Sequence, residues 1–461
     1  MPKILIDLLP AMGHFNSTLK LVQMLQSAGH QVTYLNQGLQ AELAKYGLSS
    51  CSAVFDIGPV LLKKKEAGIN MIFKNYRKPA NNQKLIKTRE DFNEFKKFLK
   101  QLAPDLVLLD EQNMLKAVYY EICKIPVICL QTKPDPGKFE NVPPFTSSFV
   151  PSSTLTSRIY CEWLWIKKNL QNHYRLKLFQ FISRGIDTYS ISKQITRQQG
   201  IDLEGRTTLK RGFGIGIEGI PRLVLSPAAF DFPHPKREGT WYVGPLVEIN
   251  REQNIKMPRY KVLLSTISRF KKQQAGFVIY CSLGSQNMLF SGKAKKFFKS
   301  LIEVAHHNPH DLFVLSVGGE FDIGQLFPVP DNLYAFKNLP QVDLLQKCDI
   351  MITHGGMNSM TECIFCEVPV MVYPLSVDWD QPGCAARVVY HKLGLKGNIT
   401  TDSSKMISAK LNRIKSNFSF YKNNVLLMKN RFEEKNDSKE ALEIIERIMK
   451  QNNCSNGEAL H

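Results

Sequence analysis

Residues 3–36 constrain the fold more tightly than any other stretch. KILIDLLP (3–10) is an apolar run that reads as a buried parallel strand, and AMGHF is a turn. NSTLKLVQMLQSAG (16–29) carries apolar residues at helical spacing and closes on Gly29, a fitting helix C-cap; HQVTYLN (30–36) is the next strand. Strand, loop, helix and strand in that order make a βαβ unit. PDLVLLDEQ (104–112) and IPVICLQ (125–131) add two more buried strands. A Pro-, Ser- and Thr-rich loop (133–153) leads into a helical pattern at 154–183. A second series of apolar runs follows at 277–285, 311–319, 332–336 and 349–356. The expected class is therefore α/β, with two doubly wound, Rossmann-like domains facing each other across a cleft. The boundaries read as 1–245 for the N-terminal domain, 246–270 for a linker and 271–424 for the C-terminal domain. A charged helix and tail over 425–461 is expected to pack back on the N-terminal domain.

Composition excludes some partners. A hydrophobic fraction of 43% and a charged fraction of 22% are those of a globular protein, and 461 residues suffice for two cores. The net charge of +19 favours anions. Its Lys and Arg residues do not alternate with aromatics, so nucleic acid is not an expected partner. Asp7 and Pro10 interrupt the first apolar run, and no stretch approaches the roughly 20 apolar residues of a spanning helix. Ten scattered cysteines fit reduced thiols. A cytoplasmic location is expected.

In open parallel sheets, ligands gather beyond the carboxyl ends of strands. His14 follows the first strand and Asp110 ends another, so both belong to one sheet edge. A carboxylate on one ring N–H fixes the tautomer of a histidine, and the other nitrogen can then take a proton from a hydroxyl. The plain alternative is a helix-capping His and a strand-ending Asp. A second constellation follows DIMIT: His354-Gly355-Gly356, then Asn358, Ser359 and Glu362. Glycines after a strand let backbone amides approach a ligand, and a helix N-terminus suits a pyrophosphate. Glu362 shares the face of Asn358 and Ser359 one turn deeper, where a carboxylate can accept from ribose hydroxyls.

These residues resemble a known family. NLPQVDLLQKCDIMITHGGMNSMTECIFCEVPVMVYPLSVDWDQPGCAARV (338–388) is similar to the donor-binding signature of family-one UDP-glycosyltransferases. GHFNSTLKLVQML, PDLVLLD, SPAAFDFP and WYVGPL (241–246) resemble the N-terminal half of the same family. The similarity is nearest to the bacterial macrolide- and carotenoid-type branches. It implies the GT-B fold and an inverting, metal-independent transfer with no cofactor. The donor would be a UDP-sugar, with UDP-glucose first and dTDP-sugars as the alternative. The acceptor would be a hydroxyl on a small hydrophobic molecule such as a polyketide, flavonoid, terpenoid or carotenoid. By the resemblance His14 is the base and Asp110 its partner. His354, Gly356, Asn358, Ser359 and Ser285 hold the diphosphate, Glu362 the ribose, Gln341 the nucleobase, and Asp380 with Gln381 the sugar hydroxyls. Asp378 is the fallback for Asp380.

The chain departs from the pattern at Asn338, where the family often has a base-stacking Trp and where Phe336 is the substitute considered. It also departs at Glu367, usually Gly, and at Cys384, usually Asn. Two readings compete with the transferase: a non-catalytic helper of the same fold, and a nucleotide-sugar epimerase or hydrolase. Asp378-Trp379-Asp380 has the D-x-D form of a metal motif, but its setting after a phosphate loop argues against a metal. Cys363 and Cys366 read as core, and His306, His307 and His310 as a solvated loop. Trp163 and Trp165, among basic residues, fit an acceptor-pocket wall, a peripheral membrane contact or core. The acceptor wall is preferred, because an apolar acceptor needs aromatic lining.

Overall fold

The computed structural model describes residues 1–35, 38–52, 55, 57, 83–212, 214–249, 257–273, 276–284, 290–318, 321–434 and 438–457. The first half is a seven-stranded parallel sheet. Its strands are β1 (Lys3–Asp7), β2 (Gln31–Leu35), β3 (Ser49–Cys51), β4 (Leu106–Asp110), β5 (Val127–Gln131), β6 (Arg222–Val224) and β7 (Thr240–Tyr242). They lie in the order β3-β2-β1-β4-β5-β6-β7. The second half is a six-stranded parallel sheet of β8 (Val278–Ser282), β9 (Leu312–Ser316), β10 (Leu333–Phe336), β11 (Ile350–Thr353), β12 (Val370–Val372) and β13 (Gly394–Lys396), ordered β10-β9-β8-β11-β12-β13. Every neighbour pair in both sheets is parallel.

Parallel sheets must be covered on both faces, so their strands are apolar on both. Ile4 and Ile6 point into one core layer and Leu5 into the other. Tyr280 and Ile279 divide the second sheet's two layers in the same way. Strand order reverses between β1 and β4 in one sheet and between β8 and β11 in the other. Those are the switch points where a crevice opens.

Seven of the helices shape the cleft, the junction between the halves or the outer surface. They are α1 (Met12–Ser27), α2 (Leu155–Ile182), α3 (Pro258–Lys272), α4 (Met357–Phe365), α5 (Gln381–Tyr390), α6 (Phe418–Glu434) and α7 (Ser438–Gly457). Two of them revise the expected boundaries. Most of the stretch read as a linker is α3, which packs Tyr260, Leu263 and Ile267 into the second half's core. The terminal segment is divided: α6 puts Val425, Met428 and Phe432 into the second half's core and touches the first half at residues 228–230, while α7 packs on the first through Ala441, Ile444 and Ile445.

The halves are joined by a buried ion pair. Arg387 on α5, 1% exposed, donates from Nε and Nη2 to Asp231 Oδ1 at 2.9 and 2.6 Å. Its guanidinium lies 4.2 Å from the Phe145 ring centre and 4.4 Å from that of Phe232. Tyr242 also donates its hydroxyl to Asp231, at 2.6 Å. Burial pushes the Asp231 carboxyl up, but Arg387 and these donors outweigh it and hold the group at about 2.

Candidate active site

One cleft of about 620 Å³ lies between the halves, at the two switch points. From the first half it is lined by Gly13, His14, Gln112, Thr132 and Lys133. From the second it is lined by Gln341, His354, Gly356, Asn358, Ser359, Glu362, Asp380 and Gln381. The sequence-derived residues thus converge, except for four. Asp110 stands behind His14, Ser285 lies outside the described residues, and the two tryptophans are elsewhere.

His14 sits in the first turn of α1 rather than in a loop, because the helix already begins at Met12. Its Nδ1 lies 2.6 Å from Asp110 Oδ2. Asp110 is 1% exposed and also accepts from the backbone N–H groups of Gln112 at 2.8 Å and Leu9 at 3.2 Å. Burial pushes its pKa up, but the His14 ring and the two amides bring it below the usual carboxylate value. Asp110 is therefore a fixed negative charge, and it orients His14 with Nδ1–H toward itself. Nε2 is left as the nitrogen that can accept a proton.

Across the cleft, β11 ends in Thr353 and the chain turns through Gly355, at φ +88°, into α4. A Cβ on Gly355 would come within 2.6 Å of the Val372 side chain, so the turn needs glycine on two counts. The N-terminal residues of α4 and its cap, Gly356 to Ser359, line the cleft beside His354. Gly284, after β8, supports that ring so closely that a Cβ there would lie 2.5 Å from it. Burial drives the His354 pKa down to about 4, with Asp380 pulling weakly the other way. The ring is neutral near pH 7 and has one N–H to give.

Several side chains have partners the sequence did not reveal. Asn358 Nδ2 donates to the Gly13 carbonyl at 2.7 Å, tying α4 to the residue before His14. Gln341 Nε2 donates to Glu362 Oε2 at 2.6 Å and to Ser359 Oγ at 3.1 Å. Gln381 Oε1 accepts from Leu375 N at 2.7 Å and Ser376 N at 2.9 Å, which holds the loop before α5 and leaves its amide nitrogen for the cleft. Asp380 lines the cleft; Asp378 does not, and faces Arg175 at 3.9 Å.

Three expectations are corrected. Trp165 is 1% exposed, and its indole N–H donates to the Val142 carbonyl at 2.7 Å, so it is core. Trp163 is 48% exposed on the opposite side of α2. Residues two apart on a helix point in nearly opposite directions, so the pair cannot form one wall. Phe336 is 6% exposed in the second half's core, with the Arg259 guanidinium 5.2 Å from its ring centre; Asn338 itself lines the cleft. Glu367 is explained: its φ is +58°, the backbone region glycine prefers, and Lys429 and Lys422 hold its carboxylate at 2.8 and 3.4 Å. Gln112, Thr132 and Lys133 were missed. Applying the strand-end rule to the residues just beyond β5 would have found two of them, Thr132 and Lys133.

Comparison with known proteins bears directly on this geometry. Residues 319–448 match the erythromycin biosynthesis protein CIII-like C-terminal domain. The solved glycosyltransferase of kitacinnamycin superposes with a TM-score of 0.64 at 20% identity, covering 97% of this chain and 100% of that one. The chain has the GT-B fold, and its second half is similar in sequence to family-one glycosyltransferases. Among proteins similar in sequence, an uncharacterized UDP-glucosyltransferase, YdhE of Bacillus subtilis, is 28% identical over 176 residues, 38% of this chain and 42% of that protein. The NDP-glycosyltransferase YjiC of the same organism is 23% identical over 372 residues, 79% of this chain and 77% of the relative. The family match falls mainly on the second half, which contains α4. Among the described residues no group of three or more His, Cys, Asp or Glu side chains stands close enough to hold a metal ion, and no helix is long and apolar enough to cross a membrane.

Proposed function

We propose that this chain transfers a sugar from a nucleoside-diphosphate sugar to a hydroxyl of a small hydrophobic natural product, with inversion and without a metal. One observation carries the reading: His14, oriented by Asp110 at 2.6 Å, shares a cleft with the N-terminus of α4. The acceptor oxygen attacks the anomeric carbon as the bond to the diphosphate oxygen breaks. The acceptor proton passes to His14 Nε2, and the imidazolium is stabilised by Asp110. The leaving diphosphate takes the bonding electron pair and gathers negative charge, which the α4 amides and the His354 N–H are placed to accept. Glu362, 1% exposed, would receive ribose hydroxyls, and Asp380 with the Gln381 amide the sugar hydroxyls. UDP-glucose is the first donor to try, because the relatives' names include UDP-glucosyltransferases, and dTDP-sugars are the alternative. A cytoplasmic setting belongs to this reading, supported by free thiols at the nine described cysteines.

The test is an acceptor screen with UDP- and dTDP-sugars, following nucleotide release and glycoside formation by mass spectrometry. Glycoside formation that is lost in His14→Ala supports the reading. Undiminished transfer by His14→Ala would remove the base assignment. Free sugar as the main product would point instead to a hydrolase.

A further inference from the structure

The outward face of α2 (Leu155–Ile182) takes no part in the cleft. The helix is anchored by one stripe: Ser157, Cys161, Trp165, Lys168, Asn172 and Leu176 are all buried against the first half. Asn172 Nδ2 donates to the carbonyls of Leu209 and Arg211 at 3.0 Å each, adding to the Trp165 bond. On the opposite side, Leu155, Ile159, Trp163, Ile166, Leu170 and Tyr174 recur at the same spacing, yet they are 48–72% exposed. At about 1.5 Å per residue they form an apolar strip roughly 28 Å long. Phe181, 66% exposed, continues it. A helix on the surface of a soluble protein normally turns one apolar stripe inward and shows water a polar face. Here both stripes are present, and a continuous exposed one marks an interaction surface.

Charge identifies the partner. Of the five Lys or Arg residues on α2, Lys168 is buried, Arg175 faces Asp378 and Arg158 faces Glu140 at 3.7 Å, which leaves Lys167 and Lys177 exposed at the strip. The one carboxylate of the helix, Glu162, is engaged by Lys138 at 2.5 Å. Lys167 lies along the strip with its ammonium 5.2 Å from the Trp163 ring, and Tyr160 stacks on the same indole at 5.5 Å. Lys177 projects, exposed, from the strip itself. Aromatic rings with polar tips, apolar side chains between them and long cationic stems alongside are the groups that settle at a headgroup–acyl boundary. A second copy would bring the same cations against each other in a chain already at +19. We propose that α2 docks flat on an anionic lipid bilayer, with the strip at the acyl boundary and the lysines on lipid phosphates. The surface is distinct from the cleft, so this proposal does not depend on the transfer chemistry.

The experiment is co-sedimentation of the full chain with vesicles of phosphatidylcholine alone and of phosphatidylcholine mixed with phosphatidylglycerol. Binding is expected to the mixed vesicles, to weaken with salt, and to fall at least about tenfold on the neutral ones. The double variant Trp163→Glu, Ile166→Glu should remain in the supernatant. Lys167→Glu and Lys177→Glu should each weaken binding by roughly fivefold or more. All four side chains are exposed, and circular-dichroism melts will show that the variants fold. Wild-type protein left in the supernatant with both vesicles overturns the proposal, as does undiminished binding of the double variant. A wild-type dimer in sedimentation velocity that the double variant splits also overturns it, because a second copy would then cover the strip.

Discussion

Replacing Asp110 with Asn changes one atom and should disable His14 without disturbing the donor site. In the wild type Oδ1 accepts from Gln112 N–H at 2.8 Å, while Oδ2 accepts from Leu9 N–H at 3.2 Å and from the His14 ring at 2.6 Å. An Asn has one acceptor oxygen. If it keeps the shorter backbone bond, its NH2 faces Leu9 and His14. The ring must then present a bare Nδ1 and carry its proton on Nε2, the nitrogen that has to receive the acceptor proton. The charge that stabilises the imidazolium is lost as well. Losses of this kind are typically 10²- to 10⁴-fold in kcat, or about 3–5 kcal/mol of barrier. The orphaned Leu9 N–H should lower stability by about 1–3 kcal/mol, since the site is buried. Nucleotide affinity should be unchanged, because Asp110 is on the other half of the cleft. The assay is kcat with a screened acceptor beside calorimetric UDP titration. Long-range ¹H–¹⁵N spectra of the His14 ring read the tautomer directly: protonated Nδ1 in the wild type, protonated Nε2 in the variant. Transfer within a few-fold of wild type, or an unchanged tautomer, would refute the argument.

Three further outcomes are expected. Glu362→Ala should weaken nucleotide binding by roughly ten- to a hundredfold in a calorimetric titration, because it removes a charged acceptor and releases the Gln341 amide it holds at 2.6 Å. Arg387→Met should lower unfolding free energy by about 3–5 kcal/mol in urea melts, since it leaves Asp231 buried without its cation; adding Asp231→Asn should restore part of the loss. Stability should fall as pH drops from 6.5 to about 4, because the unfolded chain protonates His354 at the higher value while the folded chain refuses the proton until the lower one. Below that window both states carry the His354 proton and its contribution to the slope vanishes, while Asp231, held at about 2, continues to lower stability as pH falls further. His354→Asn should flatten the dependence of the urea midpoint on pH by an amount on the order of 1–3 kcal/mol.

The two sheets were legible because a strand covered on both faces must be an unbroken apolar run, and VIYCS, LFVLS and LVLLD are such runs. The strand-end rule then led to His14, Asp110 and the turn after β11. α3 was not legible. PRYKVLLSTISRFKK is basic at both ends, and only three residues, Tyr260, Leu263 and Ile267, are buried. Its helix is held by the second half's core rather than by a strong local pattern. Arg387 and Asp231 are 156 residues apart, so their pairing arises only when the halves dock. The bond from Asn358 to Gly13 has the same origin, at a separation of 345 residues. The opposed placement of Trp163 and Trp165 was legible from helix geometry alone; their shared aromatic character concealed it.

The measurement that bears most directly on the central claim is a calorimetric titration of the purified chain with UDP and with dTDP, each with and without a chelator. A cleft built around the α4 N-terminus and Glu362 should bind at least one of these nucleotides with an affinity the chelator leaves unchanged. Binding of neither nucleotide, or binding that the chelator abolishes, would contradict the account.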